Sequence, residues 1–232
     1  MKHYLSYGGG VNSTALLFLL QREGIEFEAV YADHKTDYPE SRDYVSMLKE
    51  KGFPITILPI SVEGFDNLYD YCYHYKIIPL RFARWCSAKF KVRPLQKYFE
   101  KPSIVYIGID SGESHRAKPY DKDGMVYEFP LVDRGIDREQ CVKIIKKTGY
   151  PVPPKSGCFI CPFQRISQWR KLKKEYPDLW CKALRLEKIT NERLAKKEGG
   201  YPIYLKDKPL EIIVQENQED MWGDNRPCQC GL

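Results

Sequence analysis

No apolar stretch of this 232-residue chain approaches the roughly 20 residues a bilayer-spanning helix needs. The start, Met1-Lys2-His3-Tyr4, passes straight into strand-like sequence and shows no apolar core of a signal peptide. Both absences argue for a cytoplasmic protein without a membrane partner. Internal repeats and low-complexity tracts are missing as well. The one glycine-rich turn near the start lacks the lysine of Gly-x-x-x-x-Gly-Lys-[Ser/Thr]. Nor does it read as Gly-x-Gly-x-x-Gly opening a helix, so Walker and Rossmann phosphate sites are both set aside. Charge of one sign is only mildly in excess: 37 basic against 31 acidic residues, net +6. That balance permits an anionic nucleotide or a nucleic acid as partner and demands neither.

What is present is ordinary for a globular chain, with 43% hydrophobic and 29% charged residues. The length allows a full core, and one α/β domain with a C-terminal extension is the expected organisation. The boundary falls between a domain over 1–150 and an extension over 151–232. Eight cysteines in a cytosolic chain point to metal ligation or redox chemistry rather than disulfides.

The stretch Ser6-Tyr7-Gly8-Gly9-Gly10-Val11-Asn12-Ser13-Thr14 follows a short apolar run and precedes the apolar run Ala15–Leu20. Strand, glycine turn, hydroxyl residues and helix in that order build an anion site. Glycines let the backbone take positive φ and approach a ligand, and the helix N-terminus presents N–H groups with partial positive charge. Asn12, Ser13 and Thr14 are suited to capping and to phosphate contacts. A turn that binds nothing would need fewer glycines.

Downstream, 27–33 reads as a buried strand ending in Asp33, which faces ribose or magnesium or else caps the next helix. That helix opens near Asp37 or Ser41. Apolar runs at 55–59 and 104–109 add two strands, and 126–131 a shorter one. Short apolar strands alternating with helices indicate a parallel sheet, whose ligands sit beyond the strands' carboxyl ends. The glycine turn, Asp33 and Gly108-Ile109-Asp110 lie at such ends, so one cleft can collect them. In the loop 108–116, Arg116 offers a cation for phosphate or sulfate, or is merely solvated.

A helix follows, capped by Asp137, and then the stiff run Pro151-Val152-Pro153-Pro154 leads into Cys158-Phe159-Ile160-Cys161. From 164 to 197 the pattern gives two basic amphipathic helices broken near Pro177. Their aromatics Trp169 and Trp180 face the core, while Arg170, Lys171, Lys173 and Lys174 form a solvated face or, less simply, a nucleic-acid contact. Two β-like runs, 203–205 and 212–214, precede the tail with Cys228 and Cys230. Cys158-x-x-Cys161 is a half-site for zinc or an iron–sulfur cluster. Two completions compete: Cys228 with Cys230 in a structural zinc site, or Cys86 in a cluster with Cys230 or Cys228 as fourth ligand. The cations Arg81, Arg84 and Lys89 around Cys86 favour the cluster and predict lowered thiol pKa values. Cys72, Cys141 and Cys181 read as small buried hydrophobes.

Together these segments resemble the phosphoadenylyl-sulfate (PAPS) reductase family within the PP-loop ATP pyrophosphatase, or adenine nucleotide α-hydrolase, superfamily. Gly9-Gly10-Val11-Asn12-Ser13 is similar to the end of the Ser-Gly-Gly-x-Asp-Ser loop. Asp33 to Glu40 is similar to Asp-Thr-Gly-x-x-x-Pro-Glu. The segment Arg84 to Leu95 is similar to Arg-x-Cys-Cys-x-x-x-Lys-x-x-Pro-Leu, Gly108 to Arg116 to Gly-x-Arg-x-x-Glu-Ser, and Phe129-Pro130-Leu131 to a Pro-Leu strand end. Cys158-x-x-Cys161 falls where the family places a second cluster pair, and Gln229-Cys230-Gly231-Leu232 looks like the tail with the reductase's catalytic cysteine. Departures are Asn12 for Asp, Ser87 for the second Cys, Asp110 for the loop's first Arg, and no His after Leu232.

The resemblance implies a parallel-sheet PP-loop domain with a helical, cysteine-bearing extension. A loop nearer the pyrophosphatase form implies ATP with Mg2+ held by Ser6, Gly8, Gly9, Gly10, Asn12, Ser13, Thr14, Asp33 and Gly108, with adenylation and release of pyrophosphate. Arg116 and Cys230 are the expected catalytic groups. Cys86, Cys158, Cys161 and Cys230 are the expected ligands of a 4Fe-4S cluster, zinc being the alternative. The implied reaction is sulfur transfer to a nucleic acid or small molecule, with a sulfur-donor protein as further partner and homo-oligomerisation left open. The competing functions are a PAPS or adenylyl-sulfate reductase using Cys230, and a non-catalytic nucleotide-binding protein with structural zinc.

Overall fold

The computed structural model describes residues 1–118 and 121–215. Strands β1 (Lys2–Ser6), β2 (Glu28–Asp33), β3 (Ile55–Pro59), β4 (Ser103–Ile107), β5 (Asp121–Lys122) and β6 (Met125–Glu128) form one sheet in the order β3-β2-β1-β4-β6-β5. Pairings among β3, β2, β1, β4 and β6 are parallel, and β5 adds an antiparallel edge. The α/β parallel sheet expected from alternating apolar runs is therefore the fold. Reversal of strand order beside β1 sets β1 and β4 next to each other, with Ser6 in register with Ile107. Their carboxyl ends lead into the glycine turn and into Gly108.

The described chain packs as two units. The first comprises Met1–Asp33, Tyr38–Pro59 and Val92–Ser156; the second comprises His34–Asp37, Ile60–Lys91 and the described chain from Gly157. In the first, the helix Val11–Arg22 is buried from Val11 through Leu20, which is why its sequence is apolar on every side rather than on one stripe. It packs on the helix Arg138–Lys147 through a core that includes Leu16, Leu17, Cys141 and Ile145. Asp137 caps that second helix as expected, with a reciprocal bond pair to Gln140.

The second unit is helical: Leu68–Tyr75, Ile166–Glu175, Pro177–Leu194 and Leu210–Gln215. Pro177 starts a helix, where its missing N–H costs nothing, and so divides the basic segment as the sequence indicates. Trp169 is fully buried and Trp180 nearly so.

Several local expectations are corrected. The run 212–214 is not a strand: it lies in the helix Leu210–Gln215, which starts after Pro209 and buries Leu210 and Ile213 one turn apart. The run 203–205 joins no sheet either, because side chains take its backbone donors, Asn191 that of Ile203 and Glu187 that of Leu205. The helix Pro39–Glu50 has Tyr38 at its N-cap position, next to Asp37, and no side chain caps it. Residues 126–131 divide into β6 and a helical turn, Pro130–Asp133, since Pro130 cannot donate to a ladder. Cys181 is exposed, whereas Cys72 and Cys141 are buried as expected.

Candidate functional site

Two groups of functional side chains stand out, one in each unit. In the first unit the turn after β1 is shaped by its glycines. Gly9 has φ +66, and a Cβ there would stand 2.9 Å from Val45 Cγ2. A Cβ on Gly10 would meet Ser156 Oγ at 2.6 Å. On Gly108 it would lie 2.7 Å from both Cα and N of Ser13, so the end of β4 touches the first turn of the helix Val11–Arg22. Gly10, not Asn12, Ser13 or Thr14, is the N-cap, and no side chain caps the helix. The first N–H groups of that helix therefore have neither an intrahelical nor a side-chain cap acceptor, the condition under which a helix start attracts an anion.

The hydroxyl of Ser13 donates to Gly10 O at 3.2 Å and accepts from the Gly8 N–H at 3.3 Å, bracing the turn that Ser6 enters. Thr14 is fully buried and its hydroxyl bonds Tyr7 Oη at 3.1 Å, away from bulk solvent. Burial raises the Tyr7 phenol above its ordinary value despite that bond. Asn12 Nδ2 donates to Asp110 Oδ2 at 2.8 Å, and Asn12 Oδ1 accepts from Arg138 Nη1 at 3.4 Å. Asp33, closing β2, is paired with Arg42 at 3.1 Å. Arg116 ends the short helical turn Ser111–Arg116 and is paired with Glu113 at 2.8 Å. Arg138 and Ser156 come to the turn only through the fold. Asp137 marks the helix start in the sequence, but nothing in the sequence says what Arg138 faces.

In the second unit Cys86, Cys158 and Cys161 line one cavity of about 30 Å³ together with His34, Arg84 and Phe163. That volume holds roughly one water. Cys86 sits in the short helical turn Trp85–Ser87, entered through Arg84 at φ +45. The 158–161 turn closes with the Cys161 N–H donating to Cys158 O at 3.0 Å, and it is bridged to residues 36–37. Phe159 N–H donates to Thr36 O at 2.9 Å, and the Cys158 thiol donates to Thr36 Oγ1 at 3.3 Å. His34 Nδ1 bonds Thr36 Oγ1 at 2.6 Å, with Nε2 at 3.5 Å from Asp37 Oδ1.

The expectation of lowered thiol pKa values is corrected for Cys158. Burial, with the Asp37 charge second, pushes it up to about 12. Two of the flanking cations are paired with carboxylates, Lys89 with Glu63 at 2.6 Å and Arg81 with Asp207 at 3.3 Å, while Arg84 lines the cavity and lies over the Phe163 ring at 5.6 Å. Among the described residues no three His, Cys, Asp or Glu side chains are disposed to hold a metal ion. Cys86, Cys158 and Cys161 are soft donors sharing that cavity, but as they stand they are not disposed as the ligands of one metal. Cys228 and Cys230 lie outside the described residues. No helix among the described residues is long and apolar enough to cross a membrane.

No family model matches the chain. Two uncharacterised proteins of Methanocaldococcus jannaschii are similar to it: one is 24% identical over 194 residues and the other 26% over 196, each match taking in 76% of this chain. Those matches cover 45% and 39% of the two proteins, so the chain spans less than half the length of these relatives. Among solved structures, a PAPS reductase from Candida auris, determined as a phosphate complex, superposes with a TM-score of 0.51 at 15% identity. The superposition covers 66% of this chain and 75% of that one. The fold is PAPS reductase-like.

Proposed function

We propose that this chain binds ATP at the turn Gly8–Gly10 and the adjoining Asn12 and Ser13, and transfers an adenylyl group with release of pyrophosphate. The supporting observation is the closeness of Gly108 to Ser13, which holds the end of β4 against the first turn of a buried helix whose N-terminus has no side-chain cap. In the reaction an acceptor oxygen attacks the α-phosphorus, the α–β P–O bond breaks and pyrophosphate leaves. The protein's part is positioning and stabilisation of charge on phosphoryl oxygens. Arg116 would add a cation only on leaving Glu113, and Asp33 would contact adenosine or Mg2+ only on leaving Arg42.

Cys86, Cys158 and Cys161 would hold an iron–sulfur cluster, with Cys230 as fourth ligand; zinc in the same set would be structural. Such a cluster, if bound, would supply sulfide or electrons for sulfur transfer to a nucleic-acid or small-molecule acceptor. Pyrophosphate release from ATP, assayed with anaerobically purified protein and accompanied by iron and zinc analysis, tests both halves. No pyrophosphate with any acceptor overturns the adenylation reading, and zinc without iron overturns the cluster.

A second reading draws on the likeness to the Candida auris enzyme: Cys230 would attack the sulfate sulfur and expel the adenosine phosphate, and an external dithiol would then release sulfite from the S-sulfocysteine as a disulfide forms. Sulfite release from PAPS or adenylyl sulfate, lost in Cys230→Ser, would replace the first reading.

A further inference from the structure

We propose that Arg138 is the cation that takes the phosphate end of the nucleotide, aimed by Asn12 and behind it by the carboxylate of Asp110. The proposal rests on the glycine turn being a nucleotide site. Asn12 is the second residue of the helix Val11–Arg22 and only 7% exposed, so its side chain is a fixed fixture beside the turn. The two ends of an amide have nearly the same shape, and partners decide which way each faces. An ionised carboxylate accepts and cannot donate. Asp110 Oδ2 at 2.8 Å therefore holds the Nδ2 end, which leaves Oδ1 for Arg138 at 3.4 Å. Asp110 is 3% exposed, and a Cβ on Gly112 would stand 3.2 Å from its Oδ1, so the loop is shaped around this carboxylate.

Partner chemistry separates Arg138 from other arginines of the same unit. Arg42 is neutralised by Asp33, Arg116 by Glu113 and Arg134 by Glu23. Arg138, half-buried at the start of the helix Arg138–Lys147, meets the neutral Asn12 carbonyl at long range and, among the described residues, no carboxylate within ion-pair distance. A guanidinium presents a fork of donors matched to phosphate oxygens. Beside the uncapped N–H groups of the helix start it adds a cation to an anion site, with the Asp110 charge held on the far side of the Asn12 amide.

An aspartate at position 12, as in the pyrophosphatase pattern, would pair with Arg138 and cancel that charge. Asn12 keeps the contact and spares the charge, while Asp110 supplies a carboxylate that an amide, not the guanidinium, satisfies. The two departures from the family pattern are thus one exchange.

The test is calorimetric titration of the full-length chain with ATP, inorganic pyrophosphate and AMP. Arg138→Ala should weaken ATP and pyrophosphate by about 10- to 100-fold and AMP by no more than about twofold. Arg138→Lys should recover part of the loss, and Asn12→Asp should reproduce most of it with a lowered unfolding midpoint, because the new carboxylate faces Asp110. Asp110→Asn should weaken ATP in the wild-type background and add nothing to Arg138→Ala, the coupling expected of a positioning residue. Equal ATP affinity in wild type and Arg138→Ala overturns the inference and leaves the nucleotide reading standing. Equal loss of ATP and AMP overturns it in favour of a structural role. A wild-type chain that binds none of the three ligands overturns the nucleotide reading, and the inference with it.

Discussion

Gly108 shows how much a single atom decides at this site. Its missing Cβ lets the end of β4 lie against Ser13, and a methyl group 2.7 Å from two backbone atoms has no flexible neighbour to displace. Gly108→Ala should cost about 1–3 kcal/mol of stability, read by urea unfolding, because strand and helix must move apart. ATP affinity should fall with it, since the same movement opens the turn. An unchanged midpoint would mean that the helix start yields freely. Cysteine reactivity is set at the same scale. Burial raises the Cys72 thiol well above its ordinary value and pushes Cys141 and Cys158 up to about 12, whereas Cys181 is exposed. Only the thiolate is nucleophilic. Mass spectrometry after brief alkylation at neutral pH should find Cys181 labelled, with Cys72, Cys141 and Cys158 protected until the protein unfolds.

At the scale of elements, Glu187 fastens the end of the described chain. It is buried in the helix Pro177–Leu194 and accepts the N–H groups of Leu205 at 2.8 Å and Leu210 at 3.2 Å. Burial raises its pKa from an ordinary 4.5 to about 7, outweighing those two bonds, which lower it. The folded state therefore holds this proton more tightly than the unfolded one. The associated stability is complete below about pH 4.5 and is lost as pH rises through about 7. By linkage it amounts to roughly 3 kcal/mol at most. Urea midpoints should fall between pH 5 and pH 8, and Glu187→Gln should flatten that slope. An equally steep slope in the variant would assign it to another group. The capping box of the helix Arg138–Lys147 gives a second element-scale test. Asp137→Ala should destabilise by about 1 kcal/mol in chemical unfolding, the usual worth of a lost N-cap.

For the whole molecule, the parallel sheet was legible because strands buried on both faces read as apolar runs, as at β2 and β4. The glycine turn was legible because backbone that must approach a ligand or a neighbour has few alternatives to glycine. The short C-terminal runs were not. Ile212, Ile213 and Val214 have the composition of a strand, and only the burial of Leu210 and Ile213 selects a helix. The same limit held at Arg138. Its neighbour Asp137 announced a helix start, but the juxtaposition with Asn12 is made by residues 126 positions apart.

The sequence by itself determined the parallel strands and the glycine turn, because both follow from local backbone freedom and side-chain burial. Tertiary structure alone decided which charges are spent and which remain available. Asp33 and Arg116 are engaged in ion pairs, burial raises the Cys158 thiol, and Arg138 meets an amide rather than a carboxylate. Electrostatic partnership depends on distances across the fold, and no local pattern encodes those.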